Sequence, residues 1–97
     1  MLHTLVVVME KVPARLRGVL ALWLVDIRAG VYVGDYSIKV REMIWSIVER
    51  EFSKVVTSGS VVMMWSTNND AGYDLKMLGD NRRTPIDVDG VKLISFV

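Results

Sequence analysis

The run Leu5-Val6-Val7-Val8-Met9 constrains this chain most. Five consecutive apolar residues, three of them β-branched, read as a strand buried on both faces. Glu10 and Lys11 close it, and Val12-Pro13 follows as a boundary. Proline suits a first helical turn and drives the residue before it toward extended geometry. A chain that begins with a strand needing cover on both sides must build a layered sheet. With 97 residues it has length for one domain, 1–97, and a single core.

Apolar spacing sets the remaining elements. Leu16, Leu20, Trp23, Leu24 and Ile27 recur at helical intervals, which predicts a first helix from Pro13 to about Arg28, stopped by Ala29-Gly30. Val31-Tyr32-Val33 reads as a short strand closed by Gly34-Asp35. A second helix is expected from near Ser37, with Val40, Ile44, Ile47, Val48 and Val55 inward, ending before Ser58-Gly59-Ser60. Val61 to Trp65 and Tyr73 to Leu78 form a hairpin around Asn68-Asn69-Asp70-Ala71-Gly72. Val88-Asp89-Gly90-Val91 holds a turn or bulge, and Lys92 to Val97 is a last strand. The order β-α-β-α-β-β-β places two helices on one face of one mainly antiparallel sheet, an α+β sandwich.

Three Trp, six Met and a mean hydropathy of +0.34 give more apolar surface than one small core hides, so a two-fold homodimer is expected. The absence of cysteine removes disulfides, zinc–thiolate sites and a thiol nucleophile, and fits a reducing cytoplasm. Met1-Leu2-His3-Thr4 lacks the basic start of a signal peptide. The apolar run Val19 to Val25 is too short to span a bilayer, so no membrane partner and a cytoplasmic location are expected.

Net charge is only +1, so any attraction for nucleic acid must come from a local patch. Asn81-Arg82-Arg83-Thr84-Pro85 offers one: two adjacent guanidinium groups, each a planar fork suited to phosphate, in a stretch read as a stiff loop. Arg15 and Arg17 fall in the first turn of the first helix, where the helix dipole disfavours cations by about 0.3–1 kcal/mol. That end suits an anion. Arg15 and Arg17 also fit solvated side chains whose stems cover apolar surface, and Arg82-Arg83 also fits an ordinary surface turn. Lys39 and Arg41 open the second helix and read more readily as a solvated face.

Glu10 ends the first strand beside its connection, a place where α/β sheets often carry active sites. One carboxylate is a poor Mg²⁺ site, but a two-fold dimer would supply a second copy. A solvated strand-end acid is the plainer reading. His3 is the single histidine and reads as surface. Trp23, Trp45 and Trp65 lie on apolar faces, in core or interface. Asp70, Asp74, Asp80, Asp87 and Asp89 read as turn chemistry, and Asp87 and Asp89 also suit a basic partner.

Three stretches resemble CRISPR-associated protein 2 of the type I-E subgroup: LVVVMEKVPARLR from Leu5, AGVYVGDYSIKVREMIW from Ala29, and NRRTPIDVDGVKLISF from Asn81. The resemblance implies a ferredoxin-like fold, a homodimer, and assembly between dimers of an integrase, CRISPR-associated protein 1. It implies a double-stranded DNA prespacer lying across the small dimer, with the backbone-gripping arginines falling on Arg15, Arg17, Arg82 and Arg83. Partner docking falls on about Asp87 to Val97, including Asp87, Asp89, Lys92 and Phe96. The scaffold role needs no cofactor. The family is also described as metal-dependent endonucleases acting through an aspartate at the end of strand one. That position here is Glu10, a departure from the pattern, which would be the catalytic and Mg²⁺- or Mn²⁺-binding residue of a nuclease. A ferredoxin-like fold asks for two strands between the helices, where the residues read one at a time give one.

Overall fold

A computed structural model describes residues 3–55, 59–79, 83–88 and 91–96; of Val55, 83–88 and 91–96 it describes the backbone alone. The β-branched run becomes β1 (His3–Glu10), the central strand of a five-stranded sheet. His3 is part of this strand, half-buried and paired with Tyr36. Leu5, Val7 and Met9 are buried, whereas Val6 and Val8 on the opposite face are half-buried. Strand alternation therefore gives the sheet two unequal faces.

After Pro13 comes α1 (Ala14–Leu20), much shorter than the spacing predicts. Leu22 N–H and Trp23 N–H donate to the carbonyls of Val19 and Leu20, at 3.2 and 3.0 Å, tightening the chain out of the helix. Val25–Arg28 is then a strand, β2, rather than the last turns of a helix. Two forces override the helical spacing. Val25 and Ile27 alternate with Asp26 and Arg28, and β-branched residues favour a pleated surface. The Ala29-Gly30 turn seats on the end of β1, with Met9 N–H donating to Gly30 O at 2.7 Å. Gly30 has φ +83, and a Cβ there would lie 2.4 Å from Met9 O. Leu24, at helical spacing from Leu20, is buried by the loop turning back and not by a helix. The Tyr36 hydroxyl donates to Trp23 O and ties that loop to the sheet. Trp23 itself is 36% exposed, not core.

The next strand, β3 (Val31–Tyr36), runs through Gly34 instead of closing there, with Gly34 opposite Leu5. Ser37 starts α2 (Ile38–Val55): its hydroxyl accepts from Val40 N–H at 3.3 Å and its carbonyl from Arg41 N–H at 2.9 Å. Ile44, Trp45 and Val48 are buried, with Val40, Ile47 and Phe52 half-buried; the side chain of Val55 lies outside the described ones. A hairpin of β4 (Ser60–Ser66) and β5 (Tyr73–Gly79) follows as expected.

Sheet order is β2-β3-β1-β4-β5, every pairing antiparallel. Two strands thus lie between the helices, giving the βαββαβ order of a ferredoxin-like fold with β5 added at one edge. The core lies between the helices and one sheet face: Leu16 and Leu20 of α1 and Ile44, Trp45 and Val48 of α2 join Leu5, Val7, Met9, Tyr32, Val61, Met63 and Trp65. Full burial of each Leu, Ile or Val contributes roughly 1.5–3 kcal/mol.

Arg83–Val88 forms β6 and Val91–Phe96 forms β7, a separate two-stranded sheet. Arg83, Thr84 and Pro85 are accordingly strand and not loop. Pro85 stands opposite Ile94, a placement a two-stranded ribbon tolerates because each strand keeps a free edge.

Candidate nucleic-acid interface

The exposed N-terminal helix carries both early arginines. Residues two apart on a helix point about 200° apart, so Arg15 and Arg17 straddle α1 and do not form one patch on one side of it. Arg15 leans toward α2, its guanidinium 3.8 Å from Glu51 Oε2, while the side chain stays 71% exposed. Glu51 is 9% exposed and also lies 3.8 Å from Arg50 Nε. Its Oε2 accepts no hydrogen bond from the described residues. Pro13 occupies the cap position of α1 with no side-chain cap, and no acid lies in the helix's own first turn. A carboxylate from another helix supplies the negative charge that sequence alone leaves missing.

On the other flank, Arg17 borders a cavity of about 260 Å³ with Gly18, Ala21, Asp26, Ala29 and Tyr32. Tyr32 is 2% exposed. Burial pushes its hydroxyl above the usual tyrosine range, Asp26 pushes it further, and Arg17 pulls it back. Sequence reading missed Asp26 and Tyr32 as neighbours of Arg17 around this cavity. The alternation Val25–Arg28 before Ala29-Gly30 is the signal that would have placed them on adjacent strands.

Lys39 is exposed in the first turn of α2. Arg41 is not: its side chain is 13% exposed, lies 4.2 Å over the Trp65 ring centroid, and donates to Glu42 Oε1 at 2.9 Å. Lys76 of β5 donates to the other Glu42 oxygen at 3.1 Å. These two bonds hold the Glu42 carboxyl below the usual glutamate range.

Arg82 and Asp89 lie outside the described residues. Arg83 opens β6 opposite Phe96, and Asp87 stands opposite Lys92, with only their backbones described.

Glu10 is exposed at the end of β1, opposite Ser60. Lys11 next to it has φ 54, left-handed for a non-glycine residue. Gly59 packs on this bend, where a Cβ would lie 2.5 Å from Lys11 O and 2.7 Å from Glu10 O. Among the described residues, no three His, Asp or Glu side chains come together as a metal set. One copy of Glu10 thus belongs, among the described residues, to no metal-ligating group. No described helix is long and apolar enough to cross a membrane.

A family model described as CRISPR-associated protein (Cas_Cas2CT1978) matches residues 4–93. The chain belongs to that family. The match runs from β1 into β7, so it takes in α1 with its arginines, the β2–β3 turn, β6 from Arg83, and the first half of β7. A Cas2-type chain is a CRISPR-associated protein, consistent with a part in CRISPR adaptation.

Proposed function

We propose that this chain is the homodimeric, DNA-binding scaffold subunit of a type I-E spacer integrase, holding a prespacer duplex while partner integrase dimers, CRISPR-associated protein 1, carry out strand transfer. The observation that carries this reading is the pair of exposed arginines straddling α1 in a chain of this family. Such side chains grip phosphates and read no bases, so duplex affinity is expected to be nearly sequence-independent. Arg82 and Arg83 are assigned the same role, and Asp87, Asp89, Lys92 and Phe96 the docking of the integrase.

The dimer reading is supported by the second sheet face. Val6 stands between Val33 and Met64, and Val8 between Val31 and Val62. Met64 and Val62 in turn face Leu75 and Met77. All eight are half-buried, and the helices pack on the other side. An apolar stripe of this kind suits an isologous contact. Val8→Asp is expected to turn the dimer into monomer in sedimentation. A monomeric parent would contradict the reading.

Glu10 lies on this same face by strand alternation, at the end of the stripe. That placement favours one second reading, an endonuclease in which Mg²⁺ or Mn²⁺ is held between Glu10 and its copy. Glu10→Gln separates the two: the scaffold reading expects spacer acquisition to survive, and a nuclease role essential to acquisition expects it to be lost. The scaffold reading is tested with purified integrase and a duplex. Arg82→Ala/Arg83→Ala is expected to weaken the ternary assembly, and parent-like assembly and acquisition would overturn it.

A further inference from the structure

The cavity beside Arg17 is not needed for gripping a DNA backbone, and its chemistry is unlike that of a phosphate site. Gly18 and Ala21 of α1 and Ala29 of the β2–β3 turn give it small walls. A Cβ built on Gly18 meets nothing within 4 Å, so the space is open at the helix surface. Glycine inside a helix costs roughly 0.5–1 kcal/mol relative to alanine, and here no crowding explains it. The Tyr32 ring is buried, and its hydroxyl, which makes no hydrogen bond among the described residues, reaches the opening and is not sealed in the core. Neither Arg17 nor Asp26 has an ion-pair partner within 4.0 Å among them. Arg17, Asp26 and Tyr32 thus line one opening without a hydrogen bond or ion pair among the described residues.

We propose that this cavity is a base-binding pocket that takes an unstacked guanine, with Asp26 on the base edge, Tyr32 at its floor and Arg17 on the attached phosphate. A volume of about 260 Å³ falls under the ~300–1,000 Å³ of pockets for drug-sized ligands and suits one planar ring system. The sugar and phosphate stay at the rim, where Arg17 is exposed. An ionised carboxylate only accepts hydrogen bonds. Guanine is the base that presents two adjacent donors, N1–H and N2–H, on one edge, and the Tyr32 hydroxyl can donate to the neighbouring O6. Enzymes that take bases out of the stack read the same edge. Asp26 also repels a phosphate, which keeps the nucleotide in this orientation. The inference rests on the DNA-backbone reading of Arg17 when the guanine belongs to DNA; a free guanine nucleotide offers the same ring.

The test is an amide NMR titration of the full chain with guanosine monophosphate and, separately, cytidine monophosphate. Saturable shifts at Gly18, Ala21 and Ala29 are expected, with guanosine at least about tenfold tighter than cytidine. Asp26→Asn, on an exposed edge strand, is expected to erase that preference, and Gly18→Leu to block both. A duplex carrying one unpaired guanine should then outcompete one carrying an unpaired thymine in the parent but not in Asp26→Asn. Preference for the monophosphate without this duplex preference assigns the pocket to the free nucleotide. Equal affinity for both nucleotides, or a preference unchanged by Asp26→Asn, overturns the proposal. Loss of plain duplex binding, by contrast, overturns the DNA reading and leaves a guanine preference standing.

Discussion

The guanidinium of Arg15 lies 3.8 Å from Glu51 Oε2, so an exposed cation on α1 is shared with a buried acid on α2. A phosphate arriving at Arg15 competes with that carboxylate. Glu51→Gln keeps the shape, removes the competitor, and removes a charge whose Oε2 accepts no hydrogen bond from the described residues. Exposed ion pairs contribute about 0.2–1 kcal/mol, so duplex binding is expected to tighten by up to about fivefold. Stability is expected to stay within about 1 kcal/mol, because Arg15 and Arg50 remain solvated. Weaker duplex binding in a fluorescence titration would contradict this role for Glu51.

Arg41 is the basic residue whose structural role differs most from that of Arg17. With its guanidinium 4.2 Å over Trp65 and its side chain 13% exposed, it joins α2 to β4. Arg41→Ala is expected to cost about 1–2 kcal/mol in urea denaturation, from lost stacking and stem packing. Duplex binding at a temperature where the variant is folded should change far less than for Arg17→Ala. An equal loss of binding for both would place Arg41 on the DNA.

Acid should reveal the Glu42 bridge. Its carboxyl is held low by bonds from Arg41 and Lys76. A lowered folded value means the stabilisation is fully present above the ordinary glutamate pKa of about 4.3 and is lost as pH falls through the folded value. The Tm difference between parent and Glu42→Gln is therefore expected to be constant near neutrality and to shrink below about pH 4. A difference that grows on acidification would contradict the sign.

Two glycines are expected to respond in opposite directions to alanine. Gly59 has φ +114 and would press a Cβ within 2.5 Å of Lys11 O, at the bend that follows Glu10. Left-handed strain of about 1–2 kcal/mol and crowding of similar size should make Gly59→Ala destabilising by about 2 kcal/mol or more. Gly18→Ala adds helix propensity in free space and should stabilise by roughly 0.5–1 kcal/mol. Thermal denaturation of the two variants checks both signs.

The strands and the second helix whose burial follows a local period were legible: β1 from its β-branched run, α2 from Val40, Ile44 and Val48, and the β4–β5 hairpin from alternation around a turn. β2 was hidden because Leu20, Leu24 and Ile27 also satisfy a helical period, and the seating of Gly30 on Met9 tips the Val25–Arg28 alternation toward a strand. β6 was hidden because Arg83-Thr84-Pro85 has no apolar alternation and draws its pairing from β7. The resemblance, which asked for two strands between the helices, was the better guide to β2. At the site, exposure of Arg15 and Arg17 was foreseeable. Their neighbours were not, since Glu51 is 36 positions from Arg15 and Asp26 sat inside the helix that the spacing predicts. Arg41 and Trp65 meet through the fold alone.

Duplex DNA affinity across a salt series tests the scaffold account most directly. If about eight phosphates are neutralised by the arginines of a dimer, log K should fall against log salt with a slope near −7. Arg15→Ala/Arg17→Ala removes four charges per dimer and should flatten that slope by about 3–4. A duplex affinity independent of salt, or a slope unchanged by the double substitution, would contradict the account.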